Sequence, residues 1–401
     1  MTRDWGLDTT VAMNTQWPLR FGIFLPPMHP VGQNPTLTMQ RDLELMEHLD
    51  RLGFDEAWIG EHHSAGYETI ASPEVFIGAA SQRTRHIKLG TGVNSLPYHH
   101  PLILADRIVM LDHLTRGRTM FGAGPGQLTS DAFMLGIHPD NQRRMMQESF
   151  EVIMALFNGE TVTRKTDWFT IQEGVLQLRP YTHPCFDVAV AASISPSGAI
   201  LAGRFGVGLL SLSATNPLGF QMLHDHWQVA EEQAAKNGRT VDRRNWRMVG
   251  PMHVAETEKQ ALEDCRFGFL NVMTYISHIL PMGPSTATTY EEVVKEVNET
   301  GAGVIGTPEM AIAQIERLLK QSGGFGCYLS IGADFADWQA TLRSYELISQ
   351  YVMPHFKGQI APPKASYARI VQAGDKFTSA TAHAIEKAIK EYDAGQGKGK
   401  K

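Results

Sequence analysis

Short apolar runs alternate with helical patterns along most of the chain, and this alternation constrains the fold more than any other feature. Runs so short and so apolar are typical of parallel strands that are buried on both faces. The predicted strands cover residues 20–25, 54–59, 87–91, 119–122, 187–191, 207–212, 246–254 and 326–331. Eight strand–helix units over about 350 residues favour a (β/α)8 TIM barrel, an α/β fold, over an open sheet. No GxGxxG pattern follows the first strand, which argues against an open dinucleotide-binding sheet.

Two stretches interrupt the alternation and predict insertions after strands four and seven. Residues 158–186 have the composition of a small β insertion, and residues 270–300 are rich in Met, Pro, Thr and Ser, which predicts an irregular segment. We divide the chain into an N-terminal arm (1–18), the barrel (19–357) and a C-terminal extension (358–401). In the extension, residues 380–392 are expected to form a short helix and residues 395–401 a disordered basic tail.

Composition and charge exclude several classes of function. The chain has 401 residues and a net charge of -6, so no basic surplus points to nucleic acid. No apolar stretch is long enough to cross a membrane, and no N-terminal apolar segment resembles a secretory signal. Cys185, Cys265 and Cys327 are far apart, which predicts neither a metal site nor a disulfide framework. We expect a cytoplasmic protein without metal that contacts neither nucleic acid nor membrane.

Ionisable side chains follow the second predicted strand, at the position where barrel enzymes build their active sites. The strand ends at Gly60 and is followed directly by Glu61, His62 and His63. The imidazole of His62 is a candidate general base or hydrogen-bond donor, because it can hold or release a proton near neutral pH. Adjacent histidines on a loop seldom face one ion, so we assign them no metal. The alternative is a polar loop without chemistry.

The loop after the fifth predicted strand is rich in serine and precedes a helix. It contains Ser193, Ile194, Ser195, Ser197 and Gly198. Backbone N–H groups, the helix dipole and the hydroxyls could together bind an anion, which predicts a phosphate site without a lysine. The alternative is ordinary capping of the helix by a serine. Other rim positions, Met28, His63, Leu96 and Gln127, are candidates for a mostly apolar substrate pocket, although the apolar ones could instead belong to the core.

In this order, these segments resemble the bacterial luciferase-like family of flavin-dependent monooxygenases. The resemblance spans residues 20–355. The closing stretch of this range is similar to the limonene and diketocamphane monooxygenase branch of the family. It is carried by Phe21-Gly22-Ile23-Phe24, Gly53-Phe54-Asp55 through Trp58 to Glu61-His62-His63, Gly90-Thr91-Gly92-Val93 with Leu96-Pro97 and His100-Pro101, Leu111-Asp112 through Gly117-Arg118, the 192–198 loop, and Gly306-Thr307-Pro308-Glu309.

The resemblance implies a two-component enzyme. Reduced FMN would come from a separate flavin reductase and would form a peroxide with dioxygen that oxygenates a small, mostly apolar, cyclic substrate of terpene or ketone type. His62 would support that oxygen chemistry, Gly92-Val93 would be a cis peptide beneath the flavin ring with Asn94 beside it, and Ser195 would bind the phosphate. A homodimer is also implied. Whether the oxygen is inserted beside a ketone or added by hydroxylation or epoxidation stays open.

The chain departs from luciferase at two adjacent positions after the fourth strand. Luciferase has a phosphate-binding arginine where this chain has Pro125, and a flavin-facing cysteine where it has Gly124. We therefore expect phosphate binding to depend on the serine loop, or on another arginine such as Arg143. Two alternatives share the fold: a deazaflavin-dependent oxidoreductase and a non-catalytic flavin-binding protein.

Overall fold

The computed structural model describes residues 17–279 and 287–397, and eight parallel strands form a closed barrel at its centre. The strands of this described part are β1 (Arg20–Met28), β2 (Glu56–Ile59), β3 (Lys88–Thr91), β4 (Asn94–Ser95), β5 (Thr119–Gly124), β6 (Val162–Lys165), β7 (Thr170–Gly174), β8 (Asp187–Ala192), β9 (Gly208–Ser211), β10 (Trp246–Gly250), β11 (Met252–Val254), β12 (Val304–Gly306) and β13 (Cys327–Ala333).

Helices surround the barrel and follow its strands in the chain. They are α1 (Pro35–Leu52), α2 (Pro73–Arg83), α3 (Pro101–Thr115), α4 (Thr129–Met134), α5 (Pro139–Phe157), α6 (Ser197–Phe205), α7 (Pro217–Lys236), α8 (Glu258–Cys265), α9 (Phe269–Ile279), α10 (Tyr290–Thr300), α11 (Pro308–Ser322), α12 (Trp338–Leu347), α13 (Met353–Phe356), α14 (Ala361–Gln372) and α15 (Gly374–Gly397). In the described ranges, every helix is too short or too polar to span a bilayer.

The barrel closes because β1 pairs with both β2 and β13, while β3 pairs with β5. The order around the barrel is β1, β2, β3, β5, β8, β9, β10, β13, and all of these pairings are parallel. This confirms the predicted (β/α)8 TIM barrel. The interior is filled by a buried cluster that includes Trp58, Met120, Leu210, Val249 and Leu329, each from a different strand.

A buried ion pair lies near the N-terminal end of the barrel. The carboxylate of Glu56 accepts a hydrogen bond of 2.7 Å from Arg247 and another of 2.7 Å from Arg20. Trp58 donates a third, of 2.9 Å. Burial by itself would raise the pKa of Glu56, but the two guanidinium groups lower it to about 2. The carboxylate is therefore ionised and fully paired at neutral pH.

Strand β1 is longer than the predicted 20–25. It runs through Pro26 and Pro27 to Met28, and its register against β13 shifts between Phe24 and Met28. Prolines lack a backbone N–H and are tolerated in a strand where regular pairing is interrupted. We predicted the end of this strand too early, since β1 extends to Met28, which lies at the rim.

The insertion after the fourth barrel strand is only partly as predicted. Strands β6 and β7 form an antiparallel hairpin, which agrees with a small β insertion. The rest of this described segment, from residue 175 to β8, has no regular structure, so the β insertion is smaller than expected.

The prediction of an irregular insertion over 270–300 is wrong for its described residues. Helix α9 buries Phe269, Val272 and Tyr275 at helical spacing, and α10 begins with a capping box between Thr289 and Glu292. Strand β12, which we did not predict, then pairs with β11 outside the barrel. The apolar spacing and the capping box are visible in the sequence. We predicted an irregular segment because we gave more weight to the Pro, Thr and Ser content.

The C-terminal extension is more helical than predicted. Helix α15 begins before residue 380 and continues through residues 395–397, which we expected to be disordered. Helix α14 was not predicted, and the side chains of both helices are largely exposed. The rest of the basic tail, 398–401, and residues 1–16 of the N-terminal arm lie outside the described residues. The domain division at 18 and 357 stays a prediction.

We predict that Glu56→Ala lowers the free energy of unfolding by about 3–5 kcal/mol, because it leaves Arg247 buried without its carboxylate. Denaturant unfolding at pH 7 measures the change. Since the pKa of Glu56 is lowered, its contribution is present above 4.5 and is lost as the pH falls through about 2. Glu263→Ala is the control, because Glu263 pairs with Arg266 on the surface and its loss should change little. Equal effects of the two variants would contradict the prediction.

Candidate active site

The polar segments singled out in the sequence lie at one mouth of the barrel. They follow β2, β3, β5 and β8, which are consecutive neighbours around the sheet, and parallel strands present their C-terminal ends on the same side. Beyond β3, the short strand β4 pairs with the end of β5, with Asn94 opposite Ala123 and Ser95 opposite Gly124. His62 and Ser195, although 133 positions apart in the chain, therefore occupy loops of the same rim.

His62 lies between two buried carboxylates. Its Nε2 is 2.9 Å from Glu68, and its Nδ1 is 3.7 Å from Asp131, which is too long for a hydrogen bond. Burial lowers the pKa of His62, but interaction with the nearby carboxylates of Asp131 and Glu68 outweighs burial and raises the pKa to about 9. The ring is therefore an imidazolium at neutral pH and loses its proton only as the pH rises through about 9. Among the described residues, Nδ1 has no hydrogen-bond partner.

Each of these carboxylates is itself held by other groups. Glu68 accepts a 2.8 Å hydrogen bond from the hydroxyl of Tyr275 on α9. Asp131 on α4 accepts a 3.1 Å bond from the backbone N–H of His63 and another from the hydroxyl of Ser64. Although burial alone would raise the pKa of Asp131, His62 and Ser64 hold it below its ordinary value. Neither acid was predicted from the sequence, because neither directly follows a strand and α4 itself was not predicted.

Glu61 joins the loop after β2 to the segment after β3. One of its oxygens is 2.9 Å from the backbone N–H of Ser95 and 3.4 Å from the side-chain amide of Asn94. The other accepts from the rings of His63 at 3.0 Å and His99 at 2.7 Å. Burial opposes ionisation, but the two histidines and Ser95 lower the pKa of Glu61 to about 2. His63 is thus held by Glu61 through Nε2.

The peptide bond between Gly92 and Val93 is cis, as the resemblance implies. The structure also explains the departure at Gly124. A Cβ atom there would lie 2.3 Å from Cγ2 of Val93, so only glycine leaves room for this valine. The carbonyl of Pro125 accepts a 2.9 Å hydrogen bond from Gln142. These contacts pack the cis segment closely against the end of β5.

The serine loop does not cap the helix that follows it. The N-cap position of α6 is Pro196, and within the described ranges no side-chain hydrogen bond caps its first turn. The hydroxyls instead pair with each other, Ser193 with Ser213 at 2.7 Å and Ser195 with Ser197 at 2.9 Å, and all but Ser213 belong to well-exposed residues. This contradicts the capping alternative and leaves N–H groups and hydroxyls available for an anion.

The buried side chain of His226 holds this loop in place, and it was not predicted from the sequence. Nε2 of His226 on α7 is 3.1 Å from the backbone carbonyl of Ile194. Burial lowers the pKa of His226, so the ring is neutral and Nε2–H is the donor. No sequence signal marked it, since a lone histidine in a long helix is more often a core residue.

The four predicted pocket residues lie in different environments. Met28 is almost fully buried and packs in one cluster with Phe269 and Tyr275. Leu96 is completely buried in the main core, so its side chain supports the wall and does not line an open pocket. His63 is half-buried, and Gln127 is exposed on the rim. Arg143, suggested as a substitute phosphate ligand, is exposed on α5.

The arrangement offers two chemical capabilities at one mouth. The uncapped end of α6 offers N–H groups to an anion, and Nδ1 of His62 is a buried donor without a hydrogen-bond partner among the described residues. In the described ranges, no group of three or more His, Cys, Asp or Glu is arranged to hold a metal ion.

Known proteins match this chain over most of its length. A family model described as luciferase-like monooxygenase matches residues 19–325. Limonene 1,2-monooxygenase of Rhodococcus erythropolis is 52% identical, with 93% of this chain and 96% of that protein covered. 4-Hydroxyprotoasukamycin monooxygenase of Streptomyces nodosus subsp. asukaensis is 42% identical, with 88% and 96% covered.

A solved structure has the same fold. The oxygenating constituent of 3,6-diketocamphane monooxygenase from Pseudomonas putida, in complex with FMN, matches with a TM-score of 0.70 and 24% identity. The match covers 84% of this chain and 98% of that chain. At this identity the likeness supports the fold alone. From the family match and the closely similar full-length relatives, the chain belongs to the luciferase-like monooxygenase family, which confirms the predicted class of flavin-dependent monooxygenase.

Proposed function

We propose that this chain is the oxygenase of a two-component system. It takes reduced FMN from a separate flavin reductase and uses dioxygen to add one oxygen atom to a small, mostly apolar, cyclic substrate of terpene or ketone type. One observation carries the proposal: a proton donor, Nδ1 of His62, and an uncapped anion site at α6 share one barrel mouth. The names of the limonene and diketocamphane relatives support the substrate class.

The residues at the mouth fit FMN. Ser193, Ser195 and Ser197, with the first N–H groups of α6 that include Gly198, would hold the phosphate, and His226 would fix the loop through Ile194. The cis segment Gly92-Val93-Asn94 would shape the ring site. The fit to the phosphate is chemical, because a dianion satisfies the N–H groups that no side chain caps.

His62 would act as a proton donor to oxygen. The bound reduced flavin supplies the electrons that activate dioxygen. Nδ1 of the imidazolium would hold a proton for an oxygen atom bound in the mouth, while Nε2 would stay paired with Glu68. Addition of oxygen to an alkene needs a protonated oxygen, whereas attack on a ketone carbonyl needs an unprotonated one. We therefore favour epoxidation or hydroxylation of a cyclic alkene over insertion beside a ketone.

A buried cluster of aromatic and sulfur-containing side chains contacts Glu68, the carboxylate partner of His62, and would help to keep the reaction dry. Met28, Phe269 and Tyr275 pack in one buried cluster, and Tyr67 stacks on Tyr275 at 4.2 Å. Exclusion of water protects activated oxygen from release as hydrogen peroxide. The same surfaces suit an apolar substrate better than a sugar or an anion.

We also propose a homodimer through the outer faces of α2 and α3. Val75, Ile103, Met110 and Leu114 are exposed on these two helices, which pack side by side, and the last three form one stripe on α3. The predicted cytoplasmic location stays a prediction.

For the dimer, we predict that the double variant Ile103→Glu, Met110→Glu is monomeric, because paired carboxylates oppose burial of this face. Sedimentation of wild type and variant at equal concentration measures the mass. Leu218→Glu, at an exposed apolar residue of α7, is the control and should leave the mass unchanged. A wild-type monomer, or a dimer that survives the double substitution, would exclude this interface.

We predict that His62→Ala lowers product formation by about 100-fold or more, the usual range for loss of a general acid. Reduced FMN and limonene are supplied under ¹⁸O₂; labelled product and hydrogen peroxide are both quantified. Peroxide should rise as product falls. His86→Ala, at an exposed ring just before β3 and therefore at the opposite end of the barrel, is the control.

The same assay separates the alternatives. Turnover that needs reduced deazaflavin and consumes no oxygen would support the deazaflavin-dependent oxidoreductase. FMN binding without oxygen incorporation from any cyclic terpene or ketone, and without an effect of His62→Ala, would support the non-catalytic flavin-binding protein.

We predict that the double variant Ser195→Ala, Ser197→Ala weakens FMN binding by about tenfold or more, since hydrogen bonds to a charged group contribute about 1.5–3 kcal/mol. Fluorescence titration measures the dissociation constants of FMN and riboflavin. Riboflavin is the matched control, because it lacks the phosphate and its affinity should not change. An equal loss for both ligands would place the serine loop away from the phosphate.

A further inference from the structure

Helix α9, from the insertion after β11, reaches the residues around His62. The hydroxyl of Tyr275 donates a 2.8 Å hydrogen bond to Oε1 of Glu68, and both side chains are buried. The ring of Tyr275 also stacks on Tyr67 with the planes only 5° from parallel. One residue of α9 therefore contacts two consecutive residues of the loop that carries His62.

Glu68 divides its two oxygens between α9 and the histidine. Oε1 accepts from Tyr275, and Oε2 lies 2.9 Å from Nε2 of His62. The backbone of Glu68 is held as well, by an antiparallel bridge to Met28 at the end of β1. A carboxylate held at its backbone and at one oxygen has little freedom to rotate, so its other oxygen remains directed at the ring of His62.

We propose that Glu68 and Tyr275 are positioning residues for His62: the inserted helix holds the Glu68 carboxylate on Nε2, which leaves Nδ1 as the ring nitrogen offered to the reaction. This inference deepens the proposed function and rests on it for the role of His62. Glu68 and Tyr275 act through the histidine, and Tyr275 acts through Glu68.

Few charged or titratable groups surround His62, Glu68 and Tyr275, and each of them has a distinct role. His62 faces Glu68 on its own loop, Asp131 on α4 and the neighbouring ring of His63. Tyr275 faces Glu68, Asp131 and Tyr67. Burial raises the pKa of Tyr275, so its hydroxyl stays protonated and remains a donor. Asp131 keeps its own donors, Ser64 and the N–H of His63, when Tyr275 is changed.

The test follows the titration of His62 by NMR in flavin-free protein labelled with ¹⁵N-histidine, with the signal assigned from His62→Ala. The variants are Tyr275→Phe, Glu68→Gln and the double variant. Tyr275→Phe keeps the stacked ring and removes only the hydroxyl. Tyr67→Phe is the matched control, because it removes the hydroxyl of the other stacked ring, whereas the described contacts of the Glu68 oxygens are with Tyr275 and His62.

The wild-type midpoint is expected near 9. Glu68→Gln should lower it by about one pH unit or more, since an opposite charge is lost. Tyr275→Phe should lower it by about 0.4 unit or more, because a freed carboxylate no longer maintains its contact with Nε2. In the Glu68→Gln background, Tyr275→Phe should add no shift, because the effect passes through that carboxylate. Tyr67→Phe should leave the midpoint unchanged.

Several results would overturn the proposal. An unchanged or higher midpoint in Tyr275→Phe would mean that the hydroxyl does not hold the carboxylate on the ring. The same shift in both backgrounds, or a similar shift in Tyr67→Phe, would mean that α9 contributes only packing.

The titration separates this inference from the proposed function, because it needs neither flavin nor substrate. The expected shifts without ¹⁸O incorporation in wild-type protein would support the positioning and reject the oxygenase. Incorporation of ¹⁸O without these shifts would support the oxygenase and reject the positioning. If both hold, Tyr275→Phe should also release more hydrogen peroxide per product than Tyr67→Phe.

Discussion

Closure of the barrel is the constraint on which the site depends. Because β1 pairs with both β2 and β13, every C-terminal strand end must lie on one ring, and segments far apart in sequence become neighbours. The loop with His62 and the loop with Ser195 are brought together in this way. An open sheet built from the same strands would spread these loops along an edge.

The buried charged groups at the two ends of the barrel differ in how completely they are hydrogen-bonded. Near the N-terminal end, Glu56 is fully satisfied by Arg247, Arg20 and Trp58, which suits a structural role. At the mouth, His62 is charged and its Nε2 is paired with Glu68, while Nδ1 has no hydrogen-bond partner in the part of the chain that the structure describes. A buried donor without a partner is costly in a folded protein, and such groups concentrate where a ligand completes the bonding. The same physical chemistry therefore stabilises one end and, in our proposal, prepares the other for reaction.

The insertions contribute to the site as much as the barrel does. Helix α4 supplies Asp131, and α9 supplies Tyr275, so both carboxylate contacts of His62 depend on elements beyond the strand–helix repeat. In our proposal, the barrel provides the mouth and the anion site, and the added helices determine which nitrogen of His62 is free to react. This division agrees with a fold that supports different chemistries through variation in its loops.

The sequence by itself determined the barrel, the rim and the candidate histidine and serines. Strand and helix periodicities are local features of the sequence, and in a parallel barrel the loop after each strand lies at the same mouth. It also marked Gly92-Val93 and the departure at Gly124 through resemblance. Only the tertiary structure decided that Pro196 leaves α6 uncapped, that Gly124 makes room for Val93, and that Glu68, Asp131, Tyr275 and His226 hold the functional groups. These contacts join residues up to 207 positions apart, and local patterns carry no information on which distant side chain will meet a given ring or carboxylate.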